Sequence, residues 1–224
     1  EGITVKLVLI HGSGGSGEAW YFQKQRFPEM DAVDLPGHPE GEPCDTVEGY
    51  VEWLHGYIQQ GGYSDVVLGG HSLGGAVAQL YALQYPEDLK GLILVGTGAR
   101  LRVAPANLEM VDTNFDDMVK MSVDFPGVPS EVKRMIEEKR RRIGPAVTKG
   151  DLLACDKFDI MEQVKQIKLP TLVISGTADI MTPPKYGQYL ASHIEGAQLV
   201  VIEGASHSMA LEKPEEVHAA IADF

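Results

Sequence analysis

The chain has 224 residues, 44% of them hydrophobic, enough for one sizeable domain with a real core and, at most, a modest insertion. Its 32 acidic and 19 basic residues give a formal net charge of -13, a field that repels phosphate backbones and anionic lipid, so neither nucleic acid nor a membrane is an expected partner. No run of about 18 apolar residues is present to span a bilayer. The opening EGITVKLVLIHG lacks the charged region and cleavage site of a signal peptide, although the absent initial Met leaves room for a trimmed leader. Cys44 and Cys155 lie far apart and outside any CxxC spacing, so two reduced thiols in a cytoplasmic protein are expected rather than a disulfide framework or a zinc site.

In chain order, VKLVLI at 5–10 predicts a strand, HGSGGSG at 11–17 a loop, and DAVDL at 31–35 a second strand. DTVEGYVEWLHGYIQQGG then carries Val47, Tyr50, Val51, Leu54 and Ile58 on one helical face, with Asp45 and Glu48 spaced as a capping box and Gly61 and Gly62 as the stop. DVVLGG at 65–70 predicts a third strand, 73–85 a helix running into Pro86, and GLILVG at 91–96 a fourth strand. Two more strands, TLVISG at 171–176 and QLVVIEG at 198–204, alternate with the helices TPPKYGQYLASHI and KPEEVHAAIADF, each with Pro near its first turn. The apolar runs hardly alternate, as expected of strands buried on both faces. Strand and helix alternate throughout, which predicts an α/β fold with a mostly parallel sheet of about six strands and helices on both faces.

One stretch breaks the rhythm. From 101 to 168 there is no strand pattern, and NLEMVDTNFDDMVKM, SEVKRMIEEKRRRIGP and KFDIMEQVKQI read as short helices separated by Pro and Gly. This predicts a helical cap, residues 101–168, inserted in a core made of 1–100 and 169–224. Met110, Met118, Met121, Met135 and Met161 fall inside it; adaptable thioether side chains suit either packing of the cap on the body or the wall of a substrate pocket. KRRR at 139–142 ends a helix that opens with Ser130 and Glu131, where cations favour the helix dipole, so a solvated last turn is the expectation.

LGGHSLGGAVAQ at 68–79 crowds glycines around a single serine where strand becomes helix. Gly70, His71, Ser72, Leu73 and Gly74 fit GxSxG in the context a nucleophile elbow requires, a sharp turn that projects Ser72 from the carboxyl end of the sheet. A serine hydroxyl needs a base to take its proton and a carboxylate to orient that base. In elbow folds these follow in the order acid, then histidine. His193 falls late in a helix and His218 within one, whereas His207 follows the last strand in GASHSMALEKP, so His207 is the candidate base. Asp179 in SGTADIMTPP directly follows a strand and is the candidate acid; Asp151, Asp156 and Asp159 are rivals that follow no strand. The backbone N–H groups of Ser13 and Leu73 are the expected donors to a developing oxyanion.

Taken together, HGSGGSGEAW, VDLPGH at 33–38, GGHSLGG, SGTADIMTP and GASHSMALEKPEEV resemble the oxyanion, second-turn, elbow, acid and histidine loops of the α/β-hydrolase superfamily, in its cap-bearing, esterase-like group. They span nearly the whole chain in the family's order. Family members usually carry extra strands before the HG loop, so here the sheet is minimal or truncated, and Ser206 stands where the family often has Gly. The resemblance implies a serine hydrolase that cleaves small to medium, uncharged carboxylic esters through an acyl-enzyme, with no metal and no cofactor. Elbow carboxylates serve dehalogenases and epoxide hydrolases of the superfamily, and Ser72 disfavours those reactions. C–C, thioester or amide hydrolysis remain alternatives, as does a non-turnover small-molecule receptor that keeps the triad. A rival reading takes GSGGSG as GxGxxG with Asp34 as a ribose ligand, but EAWYFQKQRFP is a poor helix opening and a dinucleotide leaves Ser72, Asp179 and His207 without a role.

Overall fold

The computed structural model of the chain describes residues 5–224; residues 1–4, which open both EGITVKLVLIHG and the predicted core segment 1–100, lie outside the described residues. Helix α1 (Tyr21–Arg26) separates strands β1 (Lys6–Ile10) and β2 (Asp31–Val33), and α2 (Val47–Gln60) leads to β3 (Val66–His71). Then come α3 (Leu73–Gln84) and β4 (Leu89–Val95), followed by α4 (Pro105–Thr113), α5 (Phe115–Met121) and α6 (Ser130–Lys157) before the chain re-enters the sheet at β5 (Thr171–Gly176). It closes with α7 (Pro184–His193), β6 (Gln198–Ile202), α8 (Met209–Glu212) and α9 (Pro214–Asp223). The six strands form one sheet in the order β2-β1-β3-β4-β5-β6, parallel at every pairing.

The apolar runs have the cause expected of them. In β4, Leu92 and Leu94 face the side covered by α2, α3 and α7, while Ile93 and Val95 face the side covered by α8 and α9. Successive side chains point to opposite faces and both faces are buried, so hydrophobicity is continuous along the strand. Burying each such side chain contributes about 1.5–3 kcal/mol, which fixes the register of the sheet and hence the level at which its carboxyl-end loops emerge.

Several boundaries differ from the sequence reading: α6 runs on past Pro145 to Lys157, NLEMVDTNFDDMVKM divides into α4 and α5, and β2 and β6 end at Val33 and Ile202. Helix α2 is capped by Thr46, whose hydroxyl accepts from Gly49 N at 3.0 Å; Thr46 has the extended backbone a cap needs, and Asp45 lies one residue outside. The segment KFDIMEQVKQI is not a helix beyond a short turn at Val164–Gln166. Ile160 N donates to Ala99 O at 2.8 Å and Leu101 N to Phe158 O at 3.4 Å, while Phe158, Ile160, Val164 and Ile167 are buried in the main core. Tertiary burial outweighs a weak helical propensity there.

Helix α6 is continuous except at Gly144, where φ is 89° and ψ 171° ahead of Pro145; glycine supplies the positive φ, and proline could not have continued the hydrogen-bond ladder. Among the described residues no helix is long and apolar enough to cross a membrane. Cys44 and Cys155 are free thiols, and burial pushes that of Cys155 up to about 12.

Candidate active site

A single residue separates β3 from α3. Ser72 has φ 53° and ψ -112°, the only positive φ outside glycine among the described residues. Such a conformation costs on the order of 1–3 kcal/mol and persists only where the surroundings enforce it. Here Ser72 N donates to Val95 O at 3.2 Å, and Ser72 O accepts from Gly75 N, Ala76 N and the Thr97 hydroxyl, the last at 2.8 Å. The flanking glycines are a steric requirement. A Cβ on Gly70 would stand 2.1 Å from the Gly74 carbonyl, and one on Gly74 would stand 2.2 Å from Ile10 O.

Asp179 sits in the turn after β5, buried, with all its acceptor capacity in use. Its Oδ1 accepts from Met181 N at 3.0 Å and Thr182 N at 2.9 Å; its Oδ2 accepts from the Thr182 hydroxyl at 2.7 Å and from His207 Nδ1 at 3.0 Å. Burial raises the Asp179 carboxyl, but the hydrogen bonds from His207 and Thr182 outweigh it and hold the group below the ordinary carboxylate value. An ionised carboxylate only accepts, so His207 carries its hydrogen on Nδ1, which also lies 3.2 Å from Thr182 Oγ1. Nε2 of His207 is left without a hydrogen bond among the described residues, on a ring that forms part of a cavity wall.

The loop bearing His207 is pinned from two sides. His71 Nε2 donates to His207 O at 2.7 Å, with the two rings 4.5 Å apart, and burial together with the neighbouring His207 lowers His71 to about 3, so it stays neutral. Ser206 donates its N–H to Glu212 Oε2 at 2.8 Å and its hydroxyl to the same oxygen.

Ser72, His207 and Ser13 line one cavity of about 1060 Å³. No hydrogen bond joins the Ser72 hydroxyl to His207 among the described residues; nucleophile and base commonly tighten only when substrate binds. The N–H groups of Ser13 and Leu73 donate to no protein acceptor among the described residues. The rivals are engaged elsewhere. His193 stacks on Tyr189, His218 packs beside Gln23, Asp156 accepts from Val103 N and Asp159 from Met161 N. Asp34 accepts from Gly17 N at 2.7 Å, and the chain after HGSGGSG enters a short turn at Gly17–Trp20 rather than the long helix a dinucleotide loop opens.

Three features were missed in the sequence. Asp151 of α6 accepts from Gly14 N at 2.8 Å, His38 Nε2 at 2.6 Å and the Tyr50 hydroxyl at 2.6 Å, tying the helical segment to the loop that holds Ser13. Thr182 bridges the Asp179–His207 pair. Arg140 turns inward to the cavity, against the expected solvated turn, while Arg141 and Arg142 stay on the surface beside Asp116 and Glu40. Of the methionines, Met110, Met118 and Met121 line the cavity, and Met135 and Met161 pack against buried clusters.

A sequence model of the alpha/beta hydrolase family matches residues 7–220. The chain belongs to the α/β-hydrolase family. This α/β hydrolase is 31% identical to the pimeloyl-[acyl-carrier protein] methyl ester esterase of Neisseria meningitidis serogroup C, over 98% of its own length and 93% of the relative's. Among solved structures it is similar to a thermophilic esterase, at 36% identity and a TM-score of 0.81, with 97% of this chain and 88% of that one covered. An esterase from Exiguobacterium antarcticum shares the fold at 21% identity with a TM-score of 0.88, covering 100% of this chain and 92% of its own.

Proposed function

We propose that the protein hydrolyses carboxylic esters with Ser72 as nucleophile, His207 as general base and Asp179 as the carboxylate that fixes the imidazole. The observation that carries this is the unpaired Nε2 of His207, held by Asp179 on the wall of the same cavity as the strained Ser72. His207 Nε2 takes the Ser72 proton as Oγ bonds to the acyl carbon; the resulting oxyanion is received by the N–H groups of Ser13 and Leu73. As the tetrahedral intermediate collapses, the C–O bond to the alcohol breaks and His207 returns the proton to the leaving oxygen. Water then repeats the sequence on the acyl-enzyme and releases the acid. The similarity to a methyl ester esterase and to a thermophilic esterase supports this choice of bond.

Residues 101–168 would act as a cap on a hydrolase body made of 1–100 and 169–224, with Met110, Met118 and Met121 shaping the acyl site. The test is twofold. A fluorophosphonate should label Ser72 alone by peptide mass mapping, and a p-nitrophenyl ester series should turn over repeatedly at several acyl lengths. A label on another residue, or one slow turnover with a retained adduct, overturns the reading.

A further inference from the structure

The charges around the cavity run against the composition of the chain. Acidic residues outnumber basic ones 32 to 19, yet the charged side chains lining the cavity are Arg102, Arg140 and Lys185, with no Asp or Glu among the described residues there. Arg141, Arg142 and Lys149, on the outside of α6, each lie within 4 Å of a carboxylate. None of the three cavity cations forms an ion pair among the described residues.

Arg140 is the informative one. Nη1 donates to Ser13 O at 3.3 Å, a long bond to a neutral acceptor, and Nε is buried with no partner. Leaving a buried donor without a partner is unfavourable, and more so when the group is charged. Burial lowers the guanidinium to about 10, against the opposing charge of Asp151, and it remains a cation at neutral pH. A half-buried cation whose Nε is sealed from water and unbonded, facing a cavity of about 1060 Å³, is complementary to an anion supplied by the ligand. A guanidinium edge matches a carboxylate in bidentate fashion, and a monoanion costs less to desolvate than a phosphate dianion.

We propose that the cavity favours an ester whose non-reacting end bears a carboxylate, a monoester of a dicarboxylic acid, with the half-buried Arg140 as the anchor and the exposed Arg102 and Lys185 drawing the anion to the mouth. This rests on the ester-hydrolysis reading and goes beyond the uncharged ester suggested by the sequence; the methionine-lined wall takes the chain between ester and anion.

The test compares monomethyl adipate with its uncharged monoamide, which has the same shape, and with the corresponding phosphonate, by methanol release. The expected result is a kcat/KM for the carboxylate at least about tenfold above that of the amide and above that of the phosphonate, an effect of about 1.4 kcal/mol carried by KM and weakened by salt. Arg140→Gln should bring the carboxylate-to-amide ratio close to one, and Arg140→Lys should restore part of it. A ratio near one in the native protein, a preference for the phosphonate, or an equal loss on both esters in Arg140→Gln would overturn the proposal; equal loss would mean that Arg140 only braces the Ser13 loop. Should Arg140→Gln fail to fold, inhibition of the native enzyme by adipate but not adipamide decides the matter. Calorimetry of adipate binding separates the two readings: adipate binding without cleavage of any ester keeps the anion site and sinks the esterase, whereas ester cleavage without adipate binding does the reverse.

Discussion

Asp179 and His207 meet at 3.0 Å with the imidazole on a cavity wall, whereas Asp151 and His38 meet at 2.6 Å with both side chains fully buried. The two pairs share their chemistry and differ in what is left over. His38 donates from Nδ1 to Pro36 O at 2.9 Å and from Nε2 to Asp151, so both ring nitrogens are committed and the ring is held as a cation. His207 donates only from Nδ1, and its second nitrogen is available for a proton. On the proposed mechanism, what suits one carboxylate–imidazole pair to proton transfer and the other to bracing the fold is whether one nitrogen remains free, not the strength of the bond between them.

The largest effects fall on the pair with the free nitrogen. Ser72→Ala or His207→Gln should lower kcat on a p-nitrophenyl ester by on the order of a millionfold, with a melting temperature close to that of the native protein. Retention of most turnover in either variant removes it from the proposed chemistry. Asp179→Asn should cost on the order of ten thousandfold, because an amide that donates to Nδ1 favours the wrong imidazole tautomer.

Asp151→Asn should show the opposite balance. Breaking a buried pair costs about 3–5 kcal/mol, a fall of roughly 10 °C in melting temperature for a chain of this size. Turnover should fall far less than in Asp179→Asn, through the Gly14 contact that steadies the Ser13 loop. A melting temperature unchanged within error would show that the network is not what holds α6 to the loop.

The difference between the pairs also marks how much could be read in advance. The sheet was legible because strands buried on both faces leave uninterrupted apolar runs, and the elbow because Gly70 and Gly74 stand where any Cβ would clash with the Gly74 carbonyl and with Ile10 O. Asp179 and His207 were legible because each follows a strand at the same edge of the sheet. The Asp151–His38–Tyr50 network was not, since its members are separated by up to 113 residues and none carries a local pattern that distinguishes a buried pair from a solvated one. Arg140 was hidden for a similar reason: in KRRR one arginine turns inward and its neighbours outward, a distinction set by helical phase against a wall that only the folded chain provides.

The smallest effect concerns pH, and its sign follows from the cationic ring. Burial lowers His38, but the hydrogen bond and charge of Asp151 outweigh it, leaving the folded value above the ordinary 6.5. A group raised in this way contributes stability that is fully present below 6.5 and is lost as pH rises through the folded value. The gap in melting temperature between the native protein and His38→Gln should therefore be wider at about pH 5.5 than at about pH 9. The many surface carboxylates titrate alike in both proteins, so their contribution cancels in the difference. A gap that widens toward alkaline pH would mean that His38 is neutral when folded, and the contrast with His207 would then have to rest on burial alone.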